Sequence, residues 1–141
     1  MKAITLIQPW GTLIALGEKK IETRSWKTDY RGPLLIHAGK KVNICSRKGI
    51  FKRVLEKHGY TKETLPTGLI LAKCNLVDCL EIVQAGVIYG TLSNGMEVSG
   101  NEYQFGDYQT GRYAWLLEDI EPLLVHISAK GKLRLWDYQI E

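Results

Sequence analysis

Apolar and polar positions along this chain fall into short runs whose period changes repeatedly between that of a strand and that of a helix. Residues 2–7 alternate loosely and are rich in β-formers, which predicts a first strand. Pro9 suits the first turn of a helix, and Trp10, Leu13, Ile14 and Leu16 follow at helical spacing over about two turns. Gly17 is placed to end that helix in a left-handed conformation. Residues 20–26 alternate. Extended, they set Glu22, Arg24 and Trp26 on one face and Ile21, Thr23 and Ser25 on the other. A turn at 30–33 leads into a buried strand at 34–38, in which His37 reads as a hydrogen-bonded core histidine.

Residues 43–58 predict a helix with Ile50, Phe51, Val54 and Leu55 as its apolar stripe. Arg47, Lys48, Lys52, Arg53 and Lys57 make its other side basic, and Gly59 ends it. A long β-type run spans 68–80. The glycine-rich stretch 84–111 reads as a mobile connection in which Asn94-Gly95 closes a small hairpin between 88–89 and 96–98. Residues 112–117 and 123–127 read as two further strands, and 133–136 as a last short strand or turn. Many short strands with polar turns and two short helices imply an α+β, mainly β fold. The expectation is one domain over residues 1–141, a closed or nearly closed β-barrel decorated by helices.

Composition narrows the function classes. A length of 141 residues, 45% hydrophobic and 24% charged, suits one soluble globular domain with a real core. No apolar run is long enough to span a membrane, and the start lacks the pattern of a signal peptide, so a cytoplasmic protein is expected. Cys45, Cys74 and Cys79 are odd in number and irregular in spacing, which predicts buried free thiols rather than disulfides or a metal site. On an unbroken strand Cys74 and Cys79 would face opposite ways. The net charge is only +4, but it is unevenly distributed. Residues 1–60 carry thirteen Lys/Arg against four Asp/Glu, whereas 61–141 carry six against eleven. Such asymmetry fits a polyanionic partner for the first half, or two halves whose charges interleave once folded.

The first forty residues hold the candidate chemistry. Lys19, at the end of the first helix and the lip of any hollow there, is a compact cation. Arg24 offers a planar fork suited to phosphate or a base edge, and Glu22, aimed the same way, can fix it through a charge-assisted hydrogen bond. Trp26 offers a flat surface for a base; Trp10 either does the same or plugs the barrel.

The spacing Gly17-x-Lys19-x-x-Glu22-x-Arg24 resembles the G-x-K-x-x-E-x-R signature of the ASCH domain family. Gln8-Pro9-Trp10, Arg24-Ser25-Trp26 and Arg31-Gly32 resemble its coactivator-type branch. Asp78-Cys79, Phe105-Gly106-Asp107-Tyr108, Gly111-Arg112-Tyr113-Ala114-Trp115, Lys130-Gly131 and Leu135-Trp136 resemble bacterial members. The resemblance implies a β-barrel similar to the PUA domain and a cleft that takes RNA, rather than DNA, or a nucleotide-like molecule. No cofactor is expected, and the cysteine spacing and histidine contexts give no metal site. The resemblance places Lys19, Glu22 and Arg24 in the site, with Gln8, Trp10, Trp26 and Arg31 as neighbours. Arg47, Lys48, Lys52 and Arg53 are then candidates for nucleic-acid backbone contacts. One family branch resembles amidohydrolases acting on N4-acetylcytidine, with threonine as nucleophile in G-x-K-x-x-T-x-R; another is ribonuclease-like. This chain has Glu22 in place of that threonine. A hydrolytic alternative would use Glu22 as general base and Lys19 to stabilise an oxyanion.

Overall fold

The computed structural model describes residues 1–43 and 49–139. Eight strands and three helices run in the order β1 (Lys2–Gln8), α1 (Trp10–Ala15), β2 (Ile21–Arg24), β3 (Gly32–Val42), α2 (Gly49–Lys57), β4 (Leu69–Ala85), β5 (Tyr89–Leu92), β6 (Glu97–Ser99), α3 (Gly100–Phe105), β7 (Tyr113–Ser128) and β8 (Leu135–Asp137). The fold is mainly β with short helices, as the pattern implies. The sheet path is β2-β7-β4-β3-β1-β8, with β5 and β6 hung off β4 as a hairpin. Among the described residues, β1 and β3 alone pair in parallel; the other ladders are antiparallel. The path does not return from β8 to β2, so the barrel is a curled sheet with an open seam. No helix among the described residues is long and apolar enough to cross a membrane.

Inside the curl lie Ile4, Leu6, Ile14, Leu34, Ile36, Cys74, Leu76, Trp115 and Leu117. The β4–β7 ladder shifts register between Ile70 and Ala72, between Lys73 and Asn75, and between Leu76 and Asp78, and the last of these resets the alternation between the two cysteines. Cys74 and Cys79 therefore face the same core, not opposite sides, and both are buried free thiols. Burial pushes the Cys74 thiol up to about 12 and raises that of Cys79. A second departure concerns 112–127. The two strands expected at 112–117 and 123–127 are one, β7, which runs on through Asp119 and Pro122 with register shifts along its ladder to β4. Asp119 takes a positive φ of 52°, and the Asn75 amide donates to its carboxylate at 2.9 Å. The stretch 84–111 is not a mobile connection either. It forms β5, β6 and α3, which pack Ile82, Leu92, Val98 and Tyr108 against Ile21 and Ala114.

His37 is the core histidine its sequence context implies. Trp136 Nε1–H donates to Thr5 Oγ1 (3.0 Å), which lies 3.1 Å from His37 Nδ1, and His37 Nε2 lies 2.7 Å from the Ala129 carbonyl. Gly131 closes over this network so tightly that a Cβ there would sit 2.6 Å from Thr5 Oγ1 and 2.9 Å from the His37 ring. Gly131→Ala is thus expected to cost about 1–3 kcal/mol through overpacking, read as a lower urea midpoint at unchanged slope.

Candidate functional site

The open seam between β2 and the β1–β8 edge holds a cleft of about 490 Å³, lined on the β1 side by Thr5 and Ile7. Its entrance geometry begins with α1. Gln8 is fully buried: its Oε1 accepts from the Thr12 N–H (2.9 Å), and its amide donates to Thr12 Oγ1 and the Pro66 carbonyl, both at 2.7 Å. It therefore fixes α1 and, through it, Trp10, rather than lining the cleft itself. Gly17, with φ of 78°, ends α1; its N–H bonds Ile14 O and the Glu18 N–H bonds Leu13 O. This paired closure turns the chain inward at Lys19.

Lys19 is not at a lip. It has no exposed surface, its Nζ donates to the Ile21 carbonyl, and it lies 3.7 Å from Glu22 Oε1. The sequence reading put it at the rim because charged residues after a helix usually face water. Here Glu22 and α3 cover it. Glu102 of α3 accepts from the Lys20 N–H at 2.7 Å and the Ile21 N–H at 3.4 Å. Burial raises the Glu102 carboxyl, an effect opposed by the nearby Lys19 charge and those two N–H groups.

Glu22 spans the two cations: its Oε2 is 3.1 Å from Arg24 Nε. Arg24 Nη2 also donates to the Thr5 carbonyl at 2.9 Å. One guanidinium thus bridges β2 to β1 across the open seam, just beyond the residues of β1 that pair with β8. Among the described residues nothing further takes up its Nη1.

Aromatic rings form the walls. Trp10 Nε1–H donates to the Phe105 carbonyl (2.5 Å), and its ring meets Phe51 of α2 edge-on at 5.7 Å. Trp26 stands edge-on to the fully buried Trp115 at 4.8 Å, and the Arg134 guanidinium lies 4.1 Å from its ring centre. A second acid–guanidinium pair completes the lining. Arg112 Nε donates to the Asp107 carbonyl at 3.0 Å and lies 3.6 Å from its Oδ2, while the Asp107 N–H donates to Thr23 Oγ1 at 3.0 Å. Thr23 therefore borders the cleft although alternation aims it away, because the 105–107 segment folds over it.

Of the residues singled out from sequence, Trp10, Glu22, Arg24 and Trp26 line the cleft, and Lys19 lies beneath it. Arg31 lies elsewhere, 3.5 Å from Asp78 and donating to the Thr28 and Tyr30 carbonyls. Lys52 and Arg53 are exposed on α2, beside the cleft residue Phe51. Arg47 and Lys48 lie outside the described residues. Thr5, Phe51, Phe105, Asp107 and Arg112 join the lining without having been singled out for it. Phe105-Gly106-Asp107 and Gly111-Arg112 were visible only as family-like motifs, and their place in space was not.

The family model for the ASCH domain matches residues 4–122. The chain belongs to the ASCH domain family. This family is generally linked to RNA binding. Among curated proteins, the ASCH chain is similar to activating signal cointegrator 1 of Mus musculus, 24% identical over 137 residues, covering 94% of this chain and 21% of the relative. The Homo sapiens protein of the same name is 23% identical with the same coverage. This ASCH domain thus spans about a fifth of the length of the curated relatives it matches.

Proposed function

We propose that this ASCH domain binds single-stranded RNA and takes one nucleotide into the seam cleft. The observation that carries the reading is the Glu22–Arg24 ion pair at 3.1 Å, seated in a hollow lined by Trp10, Trp26, Phe51 and Phe105. A nucleotide combines a flat ring, a polar edge and an anion. The cleft answers with aromatic walls and a guanidinium that Glu22 holds in place but does not fully occupy. A base stacked on Trp10 or Trp26 would contribute about 1–3 kcal/mol. The exposed Lys52 and Arg53, together with Arg47 and Lys48, would follow the phosphate backbone away from the cleft; Arg31 would act only as an outlying cation.

Binding should weaken linearly on a log–log plot against salt, with a slope of about −0.7 per phosphate neutralised on a single strand. Fluorescence anisotropy of a labelled single-stranded RNA, measured from low to high salt, reads this slope. The K52E/R53E double variant is expected to bind more weakly and with a shallower slope. A chain with no salt-sensitive RNA affinity would end this reading, and tighter binding to the matching DNA would reverse the RNA preference.

A second reading, hydrolysis of RNA or a modified nucleoside, is favoured by one feature: the Glu22 carboxylate faces the cleft, where it could activate water. The burial of Lys19 beneath Glu22 weighs against its part as an oxyanion partner. Incubation with total RNA and acylated nucleosides, followed by mass spectrometry, separates the readings. Turnover abolished by Glu22→Gln would support catalysis, and turnover unchanged by it would remove Glu22 as the base.

A further inference from the structure

The segment that walls the cleft has a second hollow, of about 400 Å³, on its other side. Gly106 and Asp107 line both, so this stretch of chain forms a ridge common to the two concavities. The ridge is kept low by necessity. A Cβ on Gly106 would lie 2.6 Å from the Tyr108 ring and 3.2 Å from the Thr23 methyl, so no side chain can stand there without repacking.

The second hollow has an aromatic floor. The rings of Tyr103 and Tyr108 pack at 5.1 Å with 34° between planes, and the Tyr103 hydroxyl donates to the Gly86 carbonyl at 2.5 Å. That platform is fixed before anything binds. Its rim is Val87, 97% exposed at the turn from β4 to β5, a position that packing inside the fold does not explain. Among the described residues its one charged lining residue is Asp107. A cation adjoins the ridge: Arg112 donates to the Asp107 carbonyl at 3.0 Å and the Thr23 carbonyl at 3.4 Å, 3.6 Å from the Asp107 carboxylate. The order across the surface is therefore aromatic cleft, guanidinium on a low ridge, aromatic hollow. A single nucleic-acid strand has the matching order of base, phosphate, base.

We infer that the second hollow receives the neighbouring base of the same RNA strand, with the internucleotide phosphate crossing the Gly106–Asp107 ridge beside Arg112. This rests on the reading of the cleft as a nucleotide site. The hollow is lined by two tyrosines and one carboxylate, Asp107, and so suits a base and not a phosphate; Arg112, 3.6 Å from that carboxylate, offsets its charge and suits the phosphate where the strand must cross.

Calorimetric titration with ribonucleoside monophosphates and with ribodinucleotides tests it. Dinucleotides are expected to bind at least about tenfold more tightly than monophosphates, the gain of one stacked base. Val87→Asp at the rim and Tyr103→Leu in the floor should each abolish that gain and leave monophosphate affinity unchanged. Val87 is exposed, so its variant keeps the test valid should Tyr103→Leu fail to fold. Dinucleotides no tighter than monophosphates, or a gain surviving Val87→Asp, would overturn the second subsite while sparing the cleft. Failure of both probes to bind would overturn the cleft reading as well.

Discussion

Lys19→Ala is expected to cost about 3–5 kcal/mol of folding stability, the range for removing one partner of a buried ion pair. Lys19 has no exposed surface, and its ammonium is the group facing Glu22 Oε1 at 3.7 Å. Without it the Glu22 carboxylate, with only 11% of its side chain exposed, keeps Arg24 as its single cation, and the Ile21 carbonyl loses its donor. Since a domain of this kind typically holds about 5–15 kcal/mol in all, the variant should be near the limit of folding. Urea unfolding reads the loss. Lys19→Met keeps the packing of the stem and isolates the lost charge. The K19M/E22Q double variant should cost less than the two single changes summed, because it leaves no buried charge uncompensated. A loss under about 1 kcal/mol for Lys19→Ala would mean that the ammonium contributes nothing net beneath the cleft.

Arg24→Ala should reduce affinity for single-stranded RNA by at least about tenfold, the scale of one charge-assisted contact to phosphate or a base edge. Its effect on stability should be much smaller than that of Lys19, because the Arg24 side chain is 23% exposed and water can replace its bond to the Thr5 carbonyl. Arg24→Lys restores the charge but not the planar fork. It cannot hold Glu22 and Thr5 together while also engaging a ligand, so it should rescue only part of the loss. Circular dichroism confirms that the variants are folded, and anisotropy gives the affinities. A folded Arg24→Ala chain that binds RNA as tightly as the parent would move the site away from the seam.

Much of the fold was legible because it depends on local chemistry. Gly17 was recognisable as a helix end, since a left-handed position after an apolar stripe favours glycine, and the structure has it at φ of 78°. Asn94-Gly95 was recognisable as a hairpin turn, and β5 and β6 flank it. Two of the departures share one cause. Alternation along a strand holds only until a bulge shifts its phase, and bulges arise from partner strands that a single stretch of sequence does not display. That is why Cys74 and Cys79 share a core, and why Asp119 and Pro122 bend β7 without ending it. Glycine richness also misled. In 84–111 it permits tight turns and close contacts, such as that of Gly106 with Tyr108, and does not mark mobility.

By itself, the order of residues determined the mainly β architecture, the motif from Gly17 to Arg24 and the family to which the chain belongs. Those follow from short-range periodicity and fixed spacing, which survive being read along a line. Only the tertiary structure decided what each motif residue faces. Lys19 lies beneath the cleft because the Ile21 carbonyl, the Glu22 carboxylate and the charge of Glu102, more than eighty residues on in α3, compensate its burial. The second wall, Phe105 to Asp107 with Arg112, comes from the same distant segment. Compensation of buried charge and closure of a seam are long-range properties, set by which elements pack together.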